Sequence, residues 1–402
     1  MRRVVITGIG VTCAAGSTRQ QFLDSLRTGR SGISRIEQID LLDLRFQFGG
    51  EVKCFNATDH FAPKEADMMD RFAQFAVVAA REAVCQSGIE WTPDLKETSA
   101  IVTGSCIGGQ STENQGFYDV YKLGKPRVHP MTIPKTMANA GASGISLEFG
   151  ITGPSFTIAT ACSSSAHAIG MAFQMVRSGM CEFAITGGSE APFSYGLLKA
   201  WEAMRVVSPT ACRPFSKDRS GMILGEGAAM LTLETLEGAL ARGAKPIAEI
   251  VGFGMSSDAH HITQPSSEGP ARAIRLALRD AGLRPEQIEY VNAHGTGTTV
   301  NDTTETKALY LAFGDYAKKL AISSTKAMHG HTLGAAGAME TTAAILGMTH
   351  GFIPPTINYN EPDPECDLDY VPNKPRPCDF EYAISNSFAF GGLNAVLALR
   401  RI

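Results

Sequence analysis

The sequence predicts an α/β protein with mixed sheets, and three observations lead to this fold class. Strand-like runs recur along the chain, and several are apolar on both faces, as in central strands that are covered on each side. Helical patterns lie between these runs, so strands and helices alternate. With 402 residues the chain exceeds the size at which a single hydrophobic core usually stops growing, which predicts two domains or two fused halves.

Each strand-like run ends in a turn of small residues. In chain order the runs are residues 3–7, 99–103, 155–161, 183–186, 228–234, 247–253, 289–293, 320–323 and 394–399. Helical patterns cover residues 70–87, 269–281 and 333–349, and a glycine follows each of them. The segment 354–377 has seven prolines and few apolar repeats, so we predict an extended, ordered excursion there.

The most plausible division of the chain lies at residues 240–245, just before a new strand. We predict an N-terminal half at residues 1–245 and a C-terminal half at residues 246–402. No Pro/Ser-rich linker separates the two, so we expect the halves to share an interface.

Composition excludes several classes of function. The net charge is −4, which does not favour binding to nucleic acid or to an anionic membrane surface. No apolar run approaches the roughly 18 residues of a membrane-spanning helix, and the start MRRVVITGIG is better explained as a strand than as a signal peptide. Nine scattered cysteines without a CxxC pair argue against a disulfide framework and favour the cytoplasm.

The sequence argues against dinucleotide, serine-hydrolase and metal chemistry. TGIGVTCAAG at residues 7–16 has Cys13 in place of the third glycine of a dinucleotide fingerprint, so a turn from strand to loop is the better interpretation. No GxSxG nucleophile elbow occurs. His329 and His331 could be half of a metal site, but no further set of residues has ligand spacing. We therefore expect neither a metal ion nor a cofactor.

Cys162 stands where a strand runs straight into a helix, in the segment SFTIATACSSSAHAIG. A thiol at a helix N-terminus feels the partial positive charge of unpaired N–H groups, worth up to about 2 kcal/mol. That corresponds to a pKa lower by about 1.5 and to a substantial thiolate fraction near neutral pH. The alternative is that Cys162 is a small buried hydrophobe, as most free cysteines are.

Two later segments favour the catalytic alternative. YVNAHGTGT is a strand that ends in His294, and SSTKAMHGHTLGAAG is a strand end that carries Lys326 and His331. Open α/β sheets place their chemistry at strand ends and in the loops that follow. A cysteine, a lysine and two histidines in such positions predict one convergent site.

Four motifs in order, TACSSS, AHGTGT, STKAMHGHTLGAAGAME and NSFAFGG, resemble the β-ketoacyl synthase family, in particular its elongating, type II-like members. The resemblance covers nearly the whole chain. It implies a thiolase-like fold, with two similar halves packed into five layers, αβαβα, as a homodimer. It also implies that acyl- and malonyl-loaded acyl carrier proteins are the partners.

The resemblance implies a role for each motif residue. Cys162 would be the acylated nucleophile, and His294 and His331 would promote decarboxylation of malonyl thioester. Lys326 would organise the site, with Glu340 as its partner. The backbone N–H groups of Cys162 and Phe390 would form the oxyanion hole, and Phe390 would gate the pocket. Supporting positions in AHGTGT are Thr296 and Thr298.

Several positions depart from the family pattern. His329 replaces a small or hydroxyl residue, Met222 replaces a phenylalanine, and Trp201 replaces a smaller aromatic residue. Ala389 and Leu393 replace the glycine and threonine of a GFGGTN-type loop. These departures resemble nodulation-type ketosynthases that make unusual acyl chains. We expect the acyl pocket to be lined by Ile107, Trp201 and Met222.

Acyl carrier protein is acidic, so its docking residues are expected to be basic. Candidates by position are Lys64, Arg127 and Arg205, which would otherwise be ordinary surface charges. Asp67 and Met68 stand where relatives carry positive charge.

The resemblance thus predicts a 3-oxoacyl-[acyl carrier protein] synthase that performs decarboxylative Claisen condensation in fatty-acid elongation. A specialised ketosynthase of a secondary lipid or polyketide pathway is the main alternative. A thiolase is disfavoured because a histidine pair replaces its second cysteine. A non-catalytic partner, similar to chain-length factors, is disfavoured because Cys162 is present. The acyl chain length is not predicted.

Overall fold

The computed structural model describes residues 2–41 and 43–402. Its strands are β1 Val4–Cys13, β2 Ser34–Arg35, β3 Phe48–Gly49, β4 Ser99–Gly104, β5 Ser155–Ile158, β6 Phe183–Glu190, β7 Gly227–Thr235, β8 Ala248–Ser257, β9 Tyr290–Asn292, β10 Ala321–Ser323, β11 Phe352–Ile353, β12 Arg376–Pro377, β13 Tyr382–Ala389 and β14 Leu393–Arg401.

The α-helices are α1 Arg19–Thr28, α2 Pro63–Asp67, α3 Arg71–Ser87, α4 Pro93–Thr98, α5 Gln110–Phe117, α6 Thr132–Thr136, α7 Ala140–Phe149, α8 Ser164–Ser178, α9 Tyr195–Met204, α10 Leu236–Ala241, α11 Glu268–Ala281, α12 Thr299–Phe313, α13 Lys326–His329 and α14 Ala336–His350. A π-helical turn, Tyr118–Lys122, follows α5, and 3-10 turns lie at Ala57–Asp59, Pro285–Gln287, Gly314–Lys319 and Leu333–Ala335. Across residues 2–41 and 43–402, none of these helices is long and apolar enough to cross a membrane.

Ten strands form one sheet in the order β10-β9-β13-β14-β8-β1-β7-β6-β4-β5. In the half of this sheet built from β1 and β4 to β7, β5, β4 and β6 pair in parallel, and β7 and β1 continue antiparallel. The later five repeat this pattern, with β10, β9 and β13 parallel and β14 and β8 antiparallel. Only three residues of β1 pair with β8 at the junction. The predicted two similar halves are therefore confirmed.

Helices complete the five layers. Helices α8 and α14 pack against each other and against strands of both halves, whereas α3 and α7 cover the outer face of the first half and α11 and α12 that of the second. Helix α14 is buried from Ala336 to Met348, as expected for a helix that lies between the two five-stranded halves of the sheet. Its small residues allow this packing, since a Cβ at Gly337 would lie 2.7 Å from the Cβ of Ala166 in α8. The predicted αβαβα order is thus confirmed.

The strand-to-loop turn expected at residues 7–16 lies only at the end of this segment: β1 continues to Cys13, and residues 14–15 form a turn closed by reciprocal backbone bonds of Cys13 and Gly16. A Cβ at Gly8 would lie 1.9 Å from the carbonyl oxygen of Ala83, and one at Gly10 would lie 1.8 Å from that of Ala79. These glycines therefore serve the close approach of α3 to the strand rather than a turn.

The other predicted elements differ mainly in their ends. The helix predicted at 333–349 begins as a 3-10 turn and becomes α14 at Ala336. Strand β13 was not predicted. The proline-rich segment 354–377 is irregular, with turns at residues 357–358 and 364–365, isolated β-bridges, and β12 at its end. The position 245/246 falls between α10 and β8, and a division into two units there remains a prediction.

Candidate active site

Cys162 lies in the connection between the edge strand β5 and the central helix α8. Ala161 just before it has a left-handed backbone, with φ of 50°, which costs a residue with a Cβ about 1–2 kcal/mol. The hydroxyl of Ser163 donates to the carbonyl of Thr160 (2.8 Å), and the N–H of Thr160 donates to Ser164 Oγ (2.9 Å). These bonds hold the strained turn, and the thiol of Cys162 lines a cavity of about 340 Å³.

His294 follows β9, and its backbone is held by a buried carboxylate of α12. Glu305 accepts hydrogen bonds from the N–H groups of His294 (2.9 Å) and Gly295 (2.8 Å). Lys326 Nζ lies 2.5 Å from the carbonyl oxygen of His294 and 3.3 Å from its Nδ1. A lysine ammonium only donates, so Nδ1 accepts and the ring proton of His294 is on Nε2.

His331 is fixed by a backbone bridge to the segment before β7. Its N–H donates to the carbonyl of Ile223 (2.7 Å), and its own carbonyl accepts from the N–H of Gly225 (2.9 Å). The N–H of Leu333 donates to His331 Nδ1 (3.3 Å), which places the ring proton of His331 on Nε2 as well. Both imidazoles are therefore held as Nε2–H donors.

The structure brings Cys162, His294 and His331 together. The Cys162 sulfur and one ring nitrogen of each histidine lie within 4.8 Å of one another. The two imidazole rings are 5.4 Å apart and nearly perpendicular, at 84°. All three side chains line the same cavity, together with Thr296, Thr298, Met222 and Phe390. A nucleophile and two N–H donors thus face the same cavity.

Burial controls the charge of these groups. Burial and, to a lesser extent, the charge of Lys326 lower the pKa of His294 and of His331 well below the usual value, so both rings are neutral at pH 7. Burial raises the pKa of Cys162 to about 12, although Lys326 acts in the opposite direction. The resting thiolate expected from the helix N-terminus is therefore contradicted: desolvation is the largest influence on this pKa, and Cys162 rests as a thiol.

Alkylation of Cys162 by iodoacetamide is expected to accelerate by about tenfold per pH unit from about pH 6 to about pH 9, because the thiolate fraction keeps rising below a pKa near 12. Peptide mass spectrometry measures this rate at Cys162, with the exposed Cys54 and Cys85 of the same protein as references. A plateau of the Cys162 rate before about pH 8 would instead indicate a thiolate near neutrality.

Lys326 and Glu340 form an ion pair with no solvent exposure. Burial raises the pKa of Glu340 to about 7, against the attraction of Lys326. Lys326 thus bridges Glu340 of α14 and His294 of the β9 loop, and ties the histidine to the central helix layer.

Cys162, His294 and His331 also offer a sulfur and two ring nitrogens, which are atoms that can coordinate a metal ion. Lys326 Nζ, at 3.3 Å from His294 Nδ1, would oppose a cation there. His329 does not join this set, since its ring bonds to Gly330 and Thr325.

Of the three residues expected at the acyl pocket, Met222 lines the cavity, whereas Ile107 and Trp201 are not among its lining residues. Met222 lines the cavity and packs into an apolar cluster that Ile107 and Trp201 also join. The Trp201 ring stacks on Phe390, with centroids 6.3 Å apart and planes inclined by 25°. Ala389 lines the cavity beside Phe390.

Sequence reasoning missed two buried carboxylates that hold the site. One is Glu305. The other is Glu190 at the end of β6, which accepts from the N–H groups of Cys106 (2.8 Å), Ile107 (3.3 Å) and Gly334 (2.9 Å). Glu190 therefore joins the Ile107 loop to the turn that follows His331. A charged residue at the end of an apolar strand was the available signal.

The three candidate docking residues do not share one place. Arg205, which ends α9, lines the cavity. Lys64 and Arg127 are exposed but are not among the residues that line it. Near them, Asp67 pairs with His129 at 3.0 Å.

Comparison with known proteins gives consistent matches. Two family models match the chain, "Beta-ketoacyl synthase, N-terminal domain" over residues 1–239 and "Beta-ketoacyl synthase, C-terminal domain" over residues 247–360. Nodulation protein E of Rhizobium sp. (strain N33) is 45% identical over 405 residues, with 100% of both chains covered. 3-Oxoacyl-[acyl-carrier-protein] synthase 2 of Staphylococcus aureus (strain COL) is 42% identical over 407 residues, covering 100% of this chain and 98% of that protein.

Among solved structures, the ishigamide ketosynthase/chain length factor is similar in fold, with a TM-score of 0.95. It is 39% identical and covers 100% of this chain and 99% of that chain.

Proposed function

This chain belongs to the β-ketoacyl synthase family, and from that premise we propose that it is a 3-oxoacyl-[acyl carrier protein] synthase. The observation that carries the proposal is that the Cys162 sulfur and one ring nitrogen of each histidine lie within 4.8 Å of one another in one cavity. The name of the Staphylococcus aureus relative supports acyl carrier protein as the partner. The scattered free cysteines favour a reducing, cytoplasmic setting.

In the first half of the proposed reaction, the acyl group moves from its carrier to Cys162. The sulfur attacks the thioester carbon and loses its proton, and the carrier thiol leaves with a proton. The N–H groups of Cys162 and Phe390 would stabilise the oxyanion of the tetrahedral intermediate. Cysteine suits both halves, because it is a good nucleophile and later a good leaving group.

In the second half, malonyl-carrier protein loses carbon dioxide and leaves an enolate on its thioester. His294 and His331 would donate hydrogen bonds from their Nε2–H groups to the enolate oxygen. Because both rings are neutral and already carry this proton, they can donate without taking up another one. The enolate carbon then attacks the acyl carbon on Cys162, a carbon–carbon bond forms, and the Cys162 thiolate leaves and is reprotonated.

Product analysis tests this proposal. The protein, incubated with acyl- and malonyl-carrier proteins, should yield 3-oxoacyl-carrier protein and one carbon dioxide per product. Carbon dioxide without the 3-oxoacyl product, or neither of them, would overturn the assignment.

The pathway has two candidates, fatty-acid elongation and a specialised acyl pathway. Similarity to 3-oxoacyl-[acyl-carrier-protein] synthase 2 supports the first. Similarity to nodulation protein E supports the second, as does the bulk of Trp201 beside Met222 and Phe390.

A Trp201→Ala variant is expected to shift the preferred acyl chain by two or more carbons toward longer chains, because removal of the indole opens space behind Phe390. Rates of Cys162 acylation by carrier proteins of graded chain length measure the shift. Trp201→Phe, which keeps an aromatic ring, serves as the matched control. An unchanged chain preference in Trp201→Ala would remove Trp201 from the pocket.

A homodimer is also proposed, on the basis of an apolar patch on neighbouring elements. Strand β5 is the edge of the sheet; α7 contacts β5, α6 contacts α7, and α5 contacts α6. Exposed apolar residues on these elements and the π-helical turn are Phe117, Tyr121, Ile133, Leu147 and Phe156. An apolar patch beside an open edge is typical of an interface, and sedimentation equilibrium would give the mass.

Carrier-protein docking is proposed at the cavity mouth. Arg205 carries this proposal because it lines the cavity. Lys64 and Arg127 do not line the cavity, so they would have to contact the carrier protein away from the cavity mouth.

A further inference from the structure

His329 is a fully buried histidine that takes no part in the proposed chemistry. It ends α13, the single helical turn that begins at Lys326, and stands two residues before His331. Its ring contacts Phe22 of α1, with centroids 6.0 Å apart. It is thus placed between two residues of the site without facing the cavity.

Both ring nitrogens of His329 are used. The Gly330 carbonyl can only accept, so Nδ1 carries the ring proton and donates to it at 2.7 Å. Nε2 is then an acceptor and takes the hydroxyl proton of Thr325 at 3.0 Å. Since Thr325 precedes Lys326 and Gly330 precedes His331, one side chain connects the two ends of α13.

This connection matters because α13 is too short to be stable without contacts to the rest of the protein. A helix of four residues has almost no internal stability. Its backbone is packed tightly at one side, where a Cβ at Gly50 would lie 2.3 Å, and one at Gly225 2.5 Å, from the His329 carbonyl oxygen. Gly330 leaves the turn with a φ of 78°, which sets the direction of the chain toward His331. The His329 ring bonds to the carbonyl of this glycine.

We propose that His329 is a positioning residue that fixes Lys326 and His331 relative to each other, and so acts on malonyl decarboxylation rather than on acyl transfer. The inference rests on the proposed function. It is selective because Cys162 and Phe390, which carry acyl transfer in that proposal, belong to the β5–α8 and β13–β14 connections, away from α13 in the chain.

Measuring the two half-reactions separately tests this role. His329→Phe keeps a ring against Phe22 but loses both hydrogen bonds. We expect decarboxylation of malonyl-carrier protein to fall by about tenfold or more in kcat, with little change in KM, while Cys162 acylation stays within about twofold. His329→Asn, whose amide can still donate to Gly330, should recover part of the lost rate. Thr325→Val, which removes the hydroxyl, should lower the decarboxylation rate by a smaller factor. Thr325→Ser, which keeps the hydroxyl, should leave this rate unchanged.

Equal loss of acylation and decarboxylation would show a merely structural role for His329. Unchanged decarboxylation would show that the two hydrogen bonds of its ring do not matter for the reaction. Either result overturns the inference. If His329→Phe does not fold, the Thr325→Val and Thr325→Ser pair decides in the same way. Failure of the unmodified protein to acylate Cys162 would count against the proposed function, and is distinguishable because it does not depend on His329.

Discussion

A Cys162→Gln variant is expected to lose condensation by at least about a thousandfold while it continues to decarboxylate malonyl-carrier protein. The amide cannot form the thioester that condensation needs. Decarboxylation depends instead on the enolate donors His294 and His331, whose backbone and ring contacts do not involve Cys162. Glutamine is also uncharged, so it leaves the neutral state of the two rings intact.

Separate assays of carbon dioxide release and of 3-oxoacyl product measure the two activities of this variant. Cys181→Ala, which removes another buried thiol from the core outside the cavity, is the control and should keep both. Loss of both activities in Cys162→Gln would contradict the division of roles between the cysteine and the histidines.

His294→Ala and His331→Ala are each expected to slow decarboxylation by about 100- to 1,000-fold, which is the usual cost of removing one oxyanion donor. Acylation of Cys162 should change by only a few-fold. Since burial holds the pKa of both rings well below the usual value, decarboxylation by the unmodified protein should not fall between about pH 9 and about pH 6 through protonation of these histidines.

Stopped-flow release of carbon dioxide, together with intact-mass measurement of acylation, separates these effects. The double variant should be little slower than either single variant if both rings act on one oxygen. His350→Ala, at the exposed end of α14, is the control. Acylation that falls as far as decarboxylation would assign the histidines to the wrong half-reaction.

The fold class could be predicted from local patterns, but the layer order could not. Apolar runs and glycine stops indicate strands and helices. The two halves repeat the antiparallel pairing of β1 with β7 in that of β8 with β14, and this repeat depends on contacts between residues more than 130 apart in sequence. That order came from the family resemblance. Gly8 and Gly10 were assigned to a turn because sequence alone does not distinguish a glycine that forms a turn from one in a strand against which a helix packs closely.

The site divides in a similar way. Strand ends predicted that Cys162, His294, Lys326 and His331 belong together, and the cysteine and the two histidines meet in one cavity. Glu305 and Glu190 were missed because most of their partners are backbone N–H groups, which carry no sequence signature; the position of Glu190 at the end of an apolar strand was the one signal available. The predicted shift of the Cys162 pKa was wrong in direction, because a helix terminus can be recognised in sequence whereas the depth of burial cannot.

Intact-mass analysis of a single turnover tests the central claim most directly. The protein is first incubated with acyl-carrier protein and then with malonyl-carrier protein. We predict one acyl adduct, localised to Cys162, that disappears on malonyl addition as 3-oxoacyl-carrier protein forms. An adduct on another residue, an adduct that malonyl-carrier protein does not discharge, or no adduct with any chain length would contradict a condensing enzyme built on Cys162.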